Sequence, residues 1–400
     1  MLRYILLLAL AGGYGLASER QIVIPEGGPP PVGPYSPGIL AGGYLYVSGQ
    51  GAVAPGGTAP DSFDELARQC LENVKSIVVK AGLTMEHIVY AQVYLTEMNN
   101  LEAMDRVWRR YFPRNPPARA VAGVTRIPAD NRIEITVVAV RDLEKKRVVE
   151  LPRGEGRLVL TGDRLYLGAV DGCDLTTGRP PDDPEMEVDA ALRRAGKVLA
   201  AADLNLNHMV FVNPYLTQDM PMGEMNRVYA RYFEFGNTPA RATIRMADLP
   251  GESRFVLTGV AVRDLAQRRA VRPRNMAPSP TASPCVLAGD TLFCSAKSGF
   301  IPGPNSGIWA PTVDLQVRQS MRNLLDGLEE AEMGFSNIVA SNVYLDSLDE
   351  FGAMNGVYGS YFEGAPPTRT TLQPLPPVDR RPDPSGRWPL LEQISVIAVR

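Results

Sequence analysis

The segment Pro117-Ala118-Arg119 occurs three times in this chain, returning as Pro239-Ala240-Arg241 and, with one change, as Pro367-Thr368-Arg369. Each copy follows a Tyr-Phe pair (Tyr111-Phe112, Tyr232-Phe233, Tyr361-Phe362). Each is followed by an apolar stretch that closes on Ala139-Val140-Arg141, Ala261-Val262-Arg263 or Ala398-Val399-Arg400. The arginines recur at intervals of roughly 120–130 positions, far beyond a solenoid period and typical of a whole small domain. The chain is one domain written three times, so differences between copies report where chemistry is kept and where it is lost.

The composition excludes several classes of function. A hydrophobic fraction of 45% with 21% charged residues describes an ordinary globular protein. The net charge is -3 and the basic residues are spread along the chain, which leaves no electrostatic footprint for nucleic acid. Two histidines and four cysteines make a zinc site improbable, and no metal or other cofactor is expected. Arg3, the apolar run Ile5 to Ala11 and the small-residue site Gly15-Leu16-Ala17 read as a secretory signal spanning 1–17, too short to cross a bilayer. The expected location is secreted or periplasmic, with no membrane attachment after cleavage. An uncleaved anchor and a different start are the competing readings of this segment.

Within the first copy, Tyr44 to Val47 reads as a strand entered through Gly42-Gly43. Ser62-Phe63-Asp64-Glu65 has capping-box spacing. Leu66, Cys70, Val74, Ile77, Val78 and Ala81 then form one apolar helical stripe that ends at Gly82. Ile88 to Leu95 is a strand and Leu101 to Phe112 a second helix, stopped by Pro116-Pro117. Ala118 to Val124 and Arg132 to Val140 are the last strands. The order is ββαβαββ, an α+β domain with helices on one sheet face. The later copies repeat it, with Ala191 to Ala201 and Leu315 to Glu329 as the first helices. The expected domains are 20–143, 151–265 and 273–400, joined by short linkers at Glu144 to Arg153 and Leu265 to Pro278.

Gly33-Pro34-Tyr35-Ser36-Pro37, Val47-Ser48-Gly49-Gln50, Asn73-Val74-Lys75, Pro117-Ala118-Arg119 and Ile133-Glu134-Ile135, in that order, resemble the RidA (YjgF-like) family of enamine/imine deaminases. The resemblance covers the first copy fully and the others by order and spacing. It implies homotrimer-like clefts at domain seams, and hence a pseudo-trimer made from one polypeptide, monomeric in solution. It also implies a small imino or keto acid as the ligand.

The implied chemistry suits the residues. Arginine's planar fork holds a carboxylate through two parallel hydrogen bonds. A positioned carboxyl group delivers water and moves a proton. Arg119 and Glu134 match the family's arginine and glutamate, and Tyr35 and Ser48 match further cleft positions; these four are the expected catalytic set. On the last strand Ile133, Ile135 and Val137 share one face, so Glu134 points to the other, toward a neighbouring domain. Gly49 is expected to offer a backbone N–H to the substrate. Taken singly, an arginine after proline is commonly a surface ion pair and a strand glutamate a solvated one. His87 and His208 occupy equivalent positions without triad partners and read as structural, and Cys70 as core packing.

The second copy has Glu155, Gly168 and Val256 at the positions of Tyr35, Ser48 and Glu134, and keeps only Arg241. The third keeps Arg369 and Ser295 but has Ala282 for the tyrosine. Its acid is ambiguous: Gln393 falls at the Glu134 position, and a bulge is needed to bring Glu392 there. The family asparagine on the second helix is kept as Asn226 and Asn355, and is Asp105 in the first copy; a family cysteine is replaced by Val121, Thr243 and Thr371. Arg241, Arg369, Asn226, Asn355, Ser295 and Glu392 are therefore expected to bind substrate, with one good catalytic site. The competing reading is a non-catalytic binder of carboxylate metabolites. Finally, Gly289-Asp290 reads as a hairpin turn that sets Cys285 opposite Cys294, where a disulfide and a pair of free thiols are both admissible.

Overall fold

The computed structural model describes residues 20–28, 31–54, 56–274, 276–303 and 307–400. The expected signal, 1–17, lies outside them. The first domain runs β1 (Gln21–Val23), β2 (Gly38–Ala41), β3 (Tyr44–Gln50), α1 (Phe63–Lys80), β4 (Ile88–Leu95), α2 (Leu101–Tyr111), β5 (Ala118–Gly123) and β6 (Ile133–Val140). The second runs β7 (Arg147–Glu150), β8 (Arg157–Leu160), β9 (Arg164–Asp171), α3 (Pro184–Ala200), β10 (Met209–Leu216), α4 (Met222–Tyr229), β11 (Ala240–Arg241), β12 (Ile244–Arg245) and β13 (Phe255–Val262). The third runs β14 (Arg268–Val271), β15 (Cys285–Ala288), β16 (Thr291–Lys297), the short hairpin β17 (Phe300–Ile301) and β18 (Ile308–Trp309), α5 (Val313–Glu330), β19 (Ile338–Leu345), α6 (Phe351–Gly359), β20 (Thr368–Leu372) and β21 (Glu392–Val399).

The first sheet has the order β1-β2-β3-β6-β4-β5, and the third repeats it as β14-β15-β16-β21-β19-β20. The second is the same with its last strand split into β11 and β12, both paired to β10. The fold is α+β as expected, with an added edge strand in each sheet beyond ββαβαββ, and a β17–β18 hairpin besides in the third copy. The extra strands β7 and β14 lie in the stretches expected to be linkers. Each pairs with the first hairpin of the following sheet, so those residues belong to the second and third domains. The connection between domains is correspondingly short.

Local sequence explains the helices. Ser62 caps α1 by accepting from the Glu65 N–H, and Gly82, at φ +76°, turns the chain out after it. The helix α3 starts seven residues before the expected Ala191. Asp183 caps it, and Pro184 fits the first turn because no N–H is needed there. In each domain the helices cover one sheet face; Leu66, Val74 and Ile77 of α1, for example, pack on Ile133, Ile135 and Val137 of β6.

The opposite sheet faces bury one another. Tyr46, Tyr90, Tyr166, Val210, Phe211, Val286 and Phe293, drawn from all three domains, form one central cluster. Tyr94, Tyr215 and Tyr344 hold the same place on β4, β10 and β19 and gather in a second shared cluster. There the Tyr94 and Tyr215 hydroxyls lie 3.2 Å apart. The edge strands close a ring: β5 lies against β9, β11 against β16, and β20 against β3. The three copies are thus an intramolecular pseudo-trimer with three seams.

Candidate functional site

The three seams are built alike and differ in what they present. Where the third domain meets the first, β20 carries Arg369 to the edge of β3. The Arg369 N–H donates to Ser48 Oγ at 2.9 Å, and Ser48 Oγ donates to the Ser36 carbonyl at 2.6 Å. The Ser36 N–H in turn donates to the Pro367 carbonyl at 3.1 Å. Ser48 is fully committed to this lacing and is buried, so its expected catalytic role is corrected to one of positioning.

Beyond the lacing opens a cleft of about 430 Å³ whose walls include Tyr35, Gly49, Asn73, Glu134, Arg369 and Thr371. Glu134 projects from β6 away from the helix-covered face, as the alternation requires, and is buried. A side chain at Gly49 has no room: its Cβ would sit 1.8 Å from Glu134 Oε1. Burial pushes the Glu134 carboxyl up to about 8, against the opposing pull of Arg369 and of the Thr371 N–H. Arg369 is also buried, and its charge lies over the rings of Tyr358 (5.1 Å), Phe351 (5.5 Å) and Tyr35 (5.7 Å). Among the described residues no carboxylate lies within 4 Å of it; its polar contact is Met354 Sδ at 3.9 Å. Beside it Asn355 Oδ1 is buried without a hydrogen-bond partner. The site therefore holds an arginine fork and a carboxyl group in the walls of one open space.

Arg119 does not face Glu134, which corrects the expected pairing. The two lie on β5 and β6 with β4 between them, and level with Ala91 and Tyr94 respectively. Two strand spacings and three residues put them on the order of 14 Å apart. Arg119 instead donates to Asp105 at 2.6 Å and stacks on Trp108 at 4.9 Å. It stands at the seam with the second domain, where Gly168 and Val256 replace the serine and the acid. That seam lacks the lacing hydroxyl, and its arginine fork is tied to Asp105 through Nη2.

At the remaining seam the Arg241 N–H donates to Ser295 Oγ at 2.8 Å, and Ser295 Oγ donates to the Ser283 carbonyl at 2.6 Å. Arg241 Nη1 donates to Asn226 Oδ1 at 2.8 Å. Gln393 pairs with Tyr344 as Glu134 pairs with Tyr94, so the glutamine takes the acid's place. No bulge intervenes there. Glu392 faces the helices, accepts from Ser320 Oγ and is buried, so its expected role in substrate binding is corrected to a core contact.

Sequence reading missed the ring wall made by Phe351 and Tyr358, and the Thr371 N–H. The signal for the wall was the apolar run of α6, broken only by Asn355, which any core helix also shows. Among the described residues no cluster of His, Cys, Asp and Glu is placed to hold a metal ion, and no helix is long and apolar enough to cross a membrane.

The family model described as Endoribonuclease L-PSP matches the chain three times, over 26–141, 157–262 and 274–374. A RutC family protein of Pyrococcus horikoshii is 35% identical over 125 residues, which is 31% of this chain and 99% of that protein. Escherichia coli TdcF, named as a reactive intermediate deaminase, is 35% identical over 126 residues, 30% of this chain and 98% of that protein. The crystal structure of E. coli TdcF with bound serine matches at 35% identity, covering 30% of this chain and 99% of that one, with a TM-score of 0.29.

Proposed function

We propose that this chain, which belongs to the Endoribonuclease L-PSP family that includes the RidA-like deaminases, hydrolyses small enamines or imines of 2-amino acids to 2-keto acids and ammonia at the seam between its first and third domains. The observation that carries this reading is the buried Arg369, without a carboxylate partner, facing a cleft it shares with the buried carboxyl of Glu134. A substrate carboxylate supplies the missing partner through the guanidinium fork. In the open cleft Glu134 is largely protonated near neutrality, because burial holds it up to about 8. A protonated carboxyl suits the first step, proton donation to the enamine β-carbon, which gives the iminium. The carboxylate so formed takes a proton from the water that adds to the iminium carbon. Collapse of the carbinolamine expels ammonia and leaves the keto group.

The name of TdcF as a reactive intermediate deaminase supports this class of reaction. The family description names RNA cleavage, but neither histidine lines the cleft. His87 and His208 each accept a backbone N–H in a turn, from Thr84 at 3.1 Å and from Asn205 at 3.2 Å. The competing reading, carboxylate binding without turnover, is favoured at the other two seams by Val256 and Gln393.

Ammonia release tests the proposal, with imino acids generated in situ by an amino-acid oxidase. Arg369→Ala and Glu134→Gln should each abolish the accelerated release, the second while keeping carboxylate binding. Arg119→Ala should leave it nearly unchanged. Loss of activity in Arg119→Ala alone overturns the assignment.

A further inference from the structure

We propose that the seam between the second and third domains is a separate binding site for a small dicarboxylate, one carboxylate held by Arg241 and the other by Lys297, with no turnover. A cavity of about 320 Å³ opens there, and both cations are among its walls together with Ser295 and Gln393. Among the described residues no acidic side chain lines it. This goes beyond a spent copy of the catalytic cleft, because two exchanges push its charge one way and a third opens its space. Gln393 stands where the first domain has Glu134. Lys297 stands where it has Gln50, each level with the same residue of the neighbouring strand, Ile394 and Ile135. Ala282 replaces Tyr35 and leaves the space open.

Two half-buried cations facing one cavity repel each other and are costly to desolvate without a counter-charge. Among the described residues neither has a carboxylate within 4 Å. Arg241 is held by Asn226 Oδ1 and lies 4.9 Å from the ring of Tyr229. Burial pulls the Lys297 ammonium down to about 8, with Asp326 opposing. Arg241 is fixed in height by its N–H bond to Ser295, and Lys297 follows two residues later on the same strand. The two backbone positions lie at most on the order of 7 Å apart along β16, which shifts register there, and both side chains reach the one cavity, within the compass of a short diacid. A dianion completes the charge of the cavity, whereas a monocarboxylate leaves one cation unmatched. Gln393 has no proton to give, so the ligand is kept unchanged.

Calorimetry on the full chain tests this, with succinate as the probe and propionate and inorganic phosphate for comparison. Succinate should bind the wild type and bind Arg369→Met equally well. Lys297→Met should weaken succinate by about tenfold, the loss of one charged hydrogen bond, while ammonia release stays unchanged. Arg241→Met should abolish succinate binding at this seam, with thermal unfolding as the check that the variant is folded. Succinate binding that disappears in Arg369→Met, or survives intact in Lys297→Met, overturns the proposal. So does phosphate binding as tight as succinate, or no succinate binding at all.

Discussion

Arg369 gives its backbone N–H to Ser48 Oγ at 2.9 Å, across the boundary between the third domain and the first. The bond sets the height of the guanidinium above the carboxyl of Glu134, on the neighbouring strand β6. The same bond joins Arg241 to Ser295 at 2.8 Å. It has no counterpart at the third seam, where Gly168 stands instead of serine and a Cβ there would lie 3.6 Å from the Arg119 nitrogen. A hydroxyl buried between two backbone groups thus marks the two seams at which an arginine faces an open cavity.

Ser48→Ala should leave the Arg369 N–H and the Ser36 carbonyl buried without partners. The expected cost is about 1–3 kcal/mol of stability, as for other buried polar groups left unpaired. Ser295→Ala should cost a similar amount, since its geometry is the same. The two should part in catalysis: Ser48→Ala raises KM for the imino acid, and Ser295→Ala does not. Denaturant midpoints read the first effect and ammonia-release kinetics the second. Equal kinetic effects from both would show that the lacing serines act only on the fold.

The repeat, the helix stripes and the outward face of Glu134 were legible because each is a local pattern. Ile133, Ile135 and Val137 had to share a face, and that alone aimed the carboxyl away from the helices. Which arginine meets it was not local. Arg119 and Glu134 fall in one copy and one motif set, yet β4 lies between their strands. Only the ring closure that brings β20 to β3 assigns Arg369 to the site. The fate of Glu392 was a matter of register, and the Cys294-to-Lys297 shift in β16 reproduces the Val47-to-Gln50 shift in β3, so no extra bulge rescued it. The strands β7 and β14 were hidden because their charged residues, such as Arg147, Glu150 and Arg268, read as linker. Edge strands carry that polarity routinely.

Glu134 and Glu392 are both held up to about 8 by burial. In the unfolded chain a glutamate titrates near ~4.3. Between these values the folded protein keeps protons that the unfolded chain has released. Stability should therefore fall as pH rises from about 5 and level off above about 8, by at most on the order of 1 kcal/mol per pH unit for each group. Glu392→Gln removes one of the two and should flatten the decline without changing ammonia release. Urea unfolding at pH 5 and pH 8 gives the comparison, and an identical decline in wild type and variant contradicts the assignment.

The chain should be a monomer in solution. The ring is closed by its own three domains, with β5 on β9, β11 on β16 and β20 on β3, so the three seams are occupied within one chain. Covalent connection also makes each seam intramolecular and raises the effective concentration of its partner. Light scattering should give the mass of one chain, and a mass near three chains would rule this out.

Cys285 and Cys294 are register partners in the hairpin of β15 and β16, and their sulfurs are bonded. The helix above makes room for them. A Cβ at Gly327 of α5 would lie 2.6 Å from Cys285 Sγ. In the first domain the same three places are taken by Gly38, Val47 and Ile77, and there a Cβ at Gly38 would lie 2.7 Å from Ile77 Cγ2. The gap between hairpin and helix is filled once in each of these two domains, by the helix in the first and by the disulfide in the third. Gly327→Val should therefore overfill the third domain and cost about 1–3 kcal/mol. Adding Cys285→Gly should recover much of that loss, because it restores the first domain's arrangement. The bridge itself closes a short loop and should contribute on the order of 2 kcal/mol at most. It persists only in an oxidising compartment, which is where the proposed export of the chain would place it. Mass spectrometry of non-reduced peptides from exported material should show Cys285 linked to Cys294. Free thiols at both positions there would refute the bridge and remove the support it lends to an exported location.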